Sequence, residues 1–325
     1  MLRYFITRIL LLIPMIMVIS FVVFVGLDLT PGDPLTSMLS PDMISSMSVD
    51  QLNAMRDSLG LNDPMIIRYF HWLFNLLKGD MGVSVMTGKP IADIISNLLP
   101  QTIKLTFSAL VISTLVGLTF GIISAIKHNS IIDYLSSVFG VIGISMPEFF
   151  IGILAILVFS LKLGWFPAQG RTDIGLNAFQ SLKYLVLPAC SLGMILAAAL
   201  MRYTRNAMLD VLNKDYVKTA RAKGLPEWKV YYKHAFRNSL MPISVLICLR
   251  LPMLIGGSVI IEQVFGYAGI GTRLLTAING SDYQLVLLIV LLLSIISLFA
   301  SVLIDLLTAL LDPRVRLGSQ SGGAK

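Results

Sequence analysis

The chain has 325 residues, of which 56% are apolar and 13% charged, with 25 Lys/Arg against 18 Asp/Glu. A soluble domain carries about 25% charged residues. With a mean hydropathy of +0.82 this chain has more apolar surface than a soluble core could hide, so a soluble fold is excluded and the bilayer is its solvent. The formal charge of +7 does not argue for nucleic acid, because Lys and Arg beside membrane spans set topology.

Arg3 and Arg8 precede an apolar run, Ile9–Leu27. The pairing resembles a signal peptide, but the run exceeds the usual h-region of about 7–15 residues and no small-residue cleavage pattern follows in Asp28–Pro34. A retained first span is expected. Residues 28–102 are too many for a structureless connection and should carry their own helices. Ser48-Val49-Asp50-Gln51 reads as a capping box, with Ser48 as the cap and Gln51 reaching back. Asp63-Pro64 reads as a cap followed by Pro at the first helical position. The segment Met65–Leu77 should stop at Lys78-Gly79.

Five further runs approach the roughly 20 apolar residues that a crossing helix needs. They are Leu105–Ile126, Leu135–Leu161, Tyr184–Met201, Leu240–Ile261 and Leu285–Leu311. None alternates as a membrane strand would, and helices satisfy their own backbone hydrogen bonds in lipid. The fourth is short and should continue as helix past Met201. Six spans place both termini on one side. Arg3, Arg8, Lys127, the basic block at 202–237, Arg314, Arg316 and Lys325 all fall there, which assigns that side to the cytoplasm. The expected organisation is a first span at 1–30, a helical extracytoplasmic insertion at 31–102, and a core at 103–325.

Catalytic motifs are absent. Gly82 to Lys89 comes nearest to a phosphate loop but has five residues between Gly82 and Gly88, and Pro90 stands where Ser or Thr is required. His71, His128 and His234 lie far apart, and Cys190 and Cys248 sit in apolar runs with no CxxC. No catalytic, cofactor or metal residues are assigned, and the chain is not read as an enzyme.

A charge at mid-bilayer costs on the order of 3 kcal/mol, so intramembrane charges are functional candidates. Arg250 is central in the fifth span and faces either a water-filled path or a carboxylate. Glu148 follows Met146-Pro147 in the third span, where a helix break near a cavity is an alternative to a structural pair. Asp305, near Arg314, reads as interfacial. Gly256-Gly257 allows close helix approach. Glu262–Gly271, with Gly266, Gly269 and Gly271, either folds back over a pore mouth or is an ordinary outside loop.

The block at 202–237 holds nine Lys/Arg against Asp210, Asp215 and Glu227, a net +6. Val217, Ala220 and Gly224 recur at i, i+3 and i+7, a small, smooth helix face. Ala220 and Gly224 are expected to admit a partner surface, with Arg221 and Lys223 beside it to pair with a partner's acids. Gly224-Leu225-Pro226 should end the helix, because Pro breaks a helix interior, and a second short helix should run from about Glu227 to Phe236.

Tyr216-Val217-Lys218-Thr219-Ala220-Arg221-Ala222-Lys223-Gly224, followed by His234–Pro242, resembles the cytoplasmic signature loop of binding-protein-dependent ABC importer permeases. The dipeptide/oligopeptide/nickel branch is the most similar. Leu2–Phe5, Pro31–Pro34, Leu59–Pro64, Gly79–Gly82, Ser145–Pro147, Glu262–Gly271 and Leu311–Arg316 extend the resemblance over nearly the whole chain. Lys218-Thr219-Ala220 stands where the broader motif has Glu-Ala-Ala, and Ala268 where the family usually has Pro.

The resemblance implies an all-α integral membrane protein of six transmembrane helices, with the type I ABC importer permease fold, in a bacterial or archaeal plasma membrane. It implies a permease for di- or oligopeptides; alternatives are nickel or a metal chelate, or, from another class, an ATPase-independent secondary transporter. Its partners would be a homologous second permease subunit, two ATP-hydrolysing subunits, an extracytoplasmic substrate-binding protein and the lipid bilayer, with no nucleic acid and no cofactor. Asp215, Tyr216, Thr219, Ala220, Arg221, Ala222, Lys223, Gly224 and Leu225 would form the ATPase-coupling segment. Glu148, Arg250, Glu262, Gly269 and Gly271 are candidates for the translocation path.

Overall fold

A computed structural model describes residues 2–30, 46–58, 62–170 and 178–311, without the side chains of 2–5, 58, 178–179 and 307–311. Pro31–Pro34, Leu59–Leu61, Arg314, Arg316 and Lys325 lie outside the described residues, as does the side chain of Arg3. The described secondary structure is helical apart from one isolated bridge between Val83 and Pro90.

In chain order the helices are α1 (Leu2–Asp28), α2 (Val49–Ser58), α3 (Met65–Leu77), α4 (Ile91–Ile126), α5 (Ile131–Ser145), α6 (Glu148–Ala155), α7 (Ala178–Leu212), α8 (Asp215–Ala222), α9 (Glu227–Lys229), α10 (Arg237–Leu249), α11 (Leu251–Phe265), α12 (Ile270–Asn279) and α13 (Tyr283–Leu311). Two π-helical stretches, Ile156–Lys162 and Val230–Phe236, continue α6 and join α9 to α10. Among the described residues four helices are long and apolar enough to cross a bilayer, α1, α4, α7 and α13, and two bent pairs, each counted as one span, bring the number to six.

Both bent pairs replace runs expected as single spans, and proline is the physical cause in each. The α5–α6 pair turns by 110°. Met146 takes φ −85, ψ 133 and Pro147 φ −60, ψ 144. The ring of a proline pushes the preceding residue out of the helical region, and its missing N–H ends the ladder. The α10–α11 pair bends by 45° at Arg250, two residues before Pro252 in the first turn of α11.

The chain forms two compact units. One comprises residues 1–101 and 269–298. Its core gathers Ile91 and Ile94 of α4, Ile270 and Ala277 of α12, and Leu285 and Ile289 of α13. The Ser48 capping box forms as expected: Ser48 N–H donates to Gln51 Oε1 at 2.9 Å, and Gln51 N–H to Ser48 Oγ at 3.3 Å. The stop after α3 also forms, with Gly79 at φ +91, its N–H on Leu76 O at 2.9 Å and Asp80 N–H on Asn75 O at 3.0 Å. Asp63 does not cap α3; Pro64 is itself the capping residue, without a side-chain bond. Asp282 is fully buried before α13, where Ser84 Oγ donates to its Oδ2 at 2.5 Å.

The other unit comprises residues 102–268 and 299–325. Leu105 and Ala109 of α4, Leu187 and Leu192 of α7, and Leu254, Ile261 and Phe265 of α11 make its main core. A satellite core of Ile122, Ala125, Met208 and Ala235 supports the basic block. The fourth span continues well past Met201, to Leu212, as expected. The second span begins at Ile91, so residue 102 falls inside one unbroken helix.

Candidate functional site

The basic block is a helix, a glycine stop and a second helix held on the end of α7. Within α8, Val217 and Ala220 are 0% and 5% exposed. Two of the three residues of the small face, Val217 and Ala220, therefore turn inward rather than toward a partner, while Gly224 stays exposed. Burying a Val-sized side chain contributes about 1.5–3 kcal/mol, and this segment's own chain takes it. The second arm is anchored likewise, through Val230 and Ala235, both 0% exposed. Ser239 Oγ donates to Met208 Sδ at 3.2 Å, tying the start of α10 to α7.

Gly224, not Pro226, ends α8. It takes φ +74, a left-handed conformation that costs other L-residues about 1–2 kcal/mol. Its N–H donates to Arg221 O at 2.9 Å, and Leu225 N–H reaches Ala220 O at 3.4 Å. That pair of bonds is the Schellman stop, which satisfies carbonyls a helix end would leave unpaired. Pro226, at φ −62 and ψ 142, starts the next helix instead.

Arg221 braces this turn. Its Nε donates to Glu227 Oε1 at 3.0 Å and its Nη2 to Oε2 at 3.3 Å. The neighbouring carboxylate raises the guanidinium pKa above its ordinary value. Arg221 is thus engaged within its own chain rather than held out for a partner's acid. Thr219 Oγ1 donates to Asp215 O at 2.9 Å, and Lys218 pairs with Asp215 at 2.9 Å in the open. Asp215, Tyr216, Thr219, Arg221, Ala222, Lys223 and Gly224 are exposed and Leu225 is half-buried. Trp228 and Tyr232 add exposed aromatic surface. The outward face is thus cationic and aromatic, with an open left-handed glycine among these groups.

A buried ionic brace, which sequence reasoning missed, fixes the adjoining turn. Asp133, in the first turn of α5, is 4% exposed. Arg205 of α7 grips it in bidentate fashion, Nε to Oδ1 at 2.5 Å and Nη2 to Oδ2 at 2.8 Å. Ser124 Oγ donates to Oδ1 at 2.5 Å, Asn129 N–H to Oδ2 at 3.0 Å, and His128 Nδ1 lies 3.0 Å from Oδ2. A buried carboxylate is tolerated when its lone pairs are filled this way. The available signal was Ser130-Ile131-Ile132-Asp133, since Ser130 caps α5 through the Asp133 N–H.

Most path candidates are enclosed by this chain. Glu262 is fully buried and accepts from Thr102 Oγ1 at 2.6 Å. Gly269 and Gly271 are buried at the start of α12. Arg250 is 9% exposed; its Nη1 donates to Leu196 O of α7, and among the described residues it pairs with no carboxylate and its Nε has no hydrogen-bond partner. Glu148 differs. It is half-buried at the start of α6, and its Oε2 has no hydrogen-bond partner among the described residues. Its carboxylate rests against Gly257 of α11, where an added Cβ would lie 3.0 Å from Oε2; beside Gly256 there is open space. Asp305 is half-buried in α13.

Two family descriptions match. Residues 117–317 match the binding-protein-dependent transport system inner membrane component, and residues 1–106 match the N-terminal part of a binding-protein-dependent transport system membrane component. The chain is similar to the oligopeptide transport system permease protein AppB of Bacillus subtilis, 37% identical over 97% of this chain and 99% of that protein. It is also similar to the glutathione transport system permease protein GsiC of Escherichia coli K12, 35% identical over 97% and 99%.

Proposed function

The chain belongs to the family of binding-protein-dependent transport system inner membrane components, with the all-α fold of type I ABC importer permeases, and on that premise we propose that it forms one half of an ATP-driven import pathway for di- or oligopeptides. A homologous second permease subunit supplies the other half. Two ATP-hydrolysing subunits dock below, and an extracytoplasmic binding protein delivers the peptide from above. Both termini face the cytoplasm, as the Lys/Arg bias argues. Peptide cargo is favoured by the two relatives, one named for oligopeptides and the other for glutathione.

The observation that carries the reading is the exposed, internally braced segment Asp215–Leu225. Its buried anchors, Val217 and Ala220, tie it to the chain's core. Its exposed groups, Tyr216, Thr219, Lys223 and Gly224, are what an ATPase would touch. Such a segment moves as a rigid lever with α7 and α10 when the ATPases close, so ATP biases a two-state pathway from a distance. Glu148 is the strongest path residue of the five candidates, because it is half-buried rather than enclosed and its carboxylate keeps an unpartnered oxygen beside the bend at Pro147; Arg250 also has an unpartnered Nε but is buried.

Uptake of labelled di-, tri- and pentapeptides and of nickel, in cells carrying the complete transporter or lacking this subunit, tests the reading. Peptide uptake that needs both this subunit and ATP is expected. Uptake of nickel alone would move the cargo to a metal, and peptide uptake without ATPase subunits would make the protein a secondary transporter.

A further inference from the structure

Helix α3 divides its surface three ways. One side faces α1: Tyr69 is 2% exposed, and its hydroxyl lies 2.9 Å from Ser20 Oγ and donates to Met17 O at 3.2 Å. Its ring meets Phe21 and Phe24 edge-on, with centroids 5.1 and 5.6 Å away. Arg68 on the same helix reaches Asp28, Nη2 to Oδ1, at 2.6 Å. A second side, His71 and Asn75, is polar and exposed. The third is apolar and exposed: Ile66, Ile67, Phe70, Phe74 and Leu77, each between 45% and 77% accessible. At about 100° per residue these five cover an arc of about 100°.

An exposed apolar face of that width marks an interaction surface. What covers it follows from its neighbour. α1 is a membrane span, and its own exposed face carries Val18, Phe21 and Val22 beside the α3 contact. Met17 and Asp28, the limits of that contact, lie about 16 Å apart along a helix, half of the roughly 30 Å hydrocarbon layer. The apolar face of α3 thus continues a lipid-facing surface at bilayer depth. Lys78, just past the helix, lays its ammonium 4.3 Å from the Phe74 ring centroid. This is a cation–π contact that places a positive charge at the Leu77 end of the apolar face.

We infer that α3 lies within the leaflet next to the Asp28 end of α1, with Ile66, Ile67, Phe70, Phe74 and Leu77 in contact with acyl chains. With the termini in the cytoplasm this is the outer leaflet. The segment then widens the membrane anchor of α1, and His71 and Asn75 form its water-facing side. A second permease subunit or the binding protein could instead cover the same face, and these are the outcomes the test separates.

Nitroxide labels at Phe70→Cys, Phe74→Cys and Asn75→Cys, in a Cys190→Ser/Cys248→Ser background of the assembled transporter, are reconstituted in phosphatidylethanolamine–phosphatidylglycerol vesicles. Relaxation by dioxygen, which concentrates in acyl chains, is compared with relaxation by chromium oxalate, which stays in water. The expected result is a dioxygen-to-chromium ratio severalfold higher at positions 70 and 74 than at 75. Strong chromium relaxation at 70 and 74 overturns the inference in favour of an aqueous face. Weak relaxation by both reagents overturns it in favour of a protein partner.

Discussion

Replacing Gly224 separates backbone geometry from contact chemistry in the coupling segment. The residue holds φ +74, and a Cβ built there meets nothing within 4 Å. Gly224→Ala therefore adds no clash, and its cost is the left-handed conformation alone, about 1–2 kcal/mol. That lowers the population of this turn against competing turns by roughly five- to thirtyfold. Asn and Asp tolerate the left-handed region better, because their short side chains bond locally. Gly224→Asn should thus keep the turn, while Gly224→Asp keeps it and adds an acid to an interface built around cations, with a desolvation cost on docking. The assay is ATP-driven peptide uptake in proteoliposomes, with co-purification of the ATPase subunits and thermal stability measured alongside. Uptake should fall in Ala and Asp and remain near wild type in Asn, with little change in melting temperature. If Ala transports at the wild-type rate, the Schellman turn is not what coupling requires. If Asn is as defective as Ala, the absence of a side chain at the contact matters and the φ argument is wrong.

Other substitutions probe the supports. Asp133→Asn strips the charge from a carboxylate that Arg205 grips at 2.5 and 2.8 Å. Breaking a buried pair from one side costs about 3–5 kcal/mol, so a clear drop in melting temperature is expected, and Asp133→Asn/Arg205→Met should recover part of it; an unchanged melting temperature in the single variant refutes the brace. Arg221→Ala opens an exposed pair with Glu227, worth about 0.2–1 kcal/mol, and should reduce uptake far more than thermal stability. Gly257→Ala places a methyl 3.0 Å from Glu148 Oε2 and forces that flexible carboxylate to shift. Altered transport with an unchanged melting temperature is expected if Glu148 lies on the path, and unchanged transport argues against it.

Local chemistry was legible in the sequence wherever it depends on neighbours in the chain. Hydropathy over runs of about 20 residues located α1, α4, α7 and α13, because the bilayer imposes length and apolarity on any crossing helix. The Ser48–Gln51 box and the Lys78-Gly79 stop formed because their hydrogen bonds close within four or five residues. The position of the basic segment and its helix–stop–helix outline were likewise local. Tertiary structure decided what needed a partner from elsewhere in the chain. Val217 and Ala220 turned inward because the segment's own supports, Val230 and Ala235 among them, offered burial that no periodicity of α8 could reveal. Asp133 found Arg205 from 72 residues away, a pairing that needs both helices in place before either side chain signals it. Proline marked where the third and fifth runs break, but the size of each bend, 110° and 45°, was fixed only in the folded chain, since a lost hydrogen bond permits a turn without setting its size.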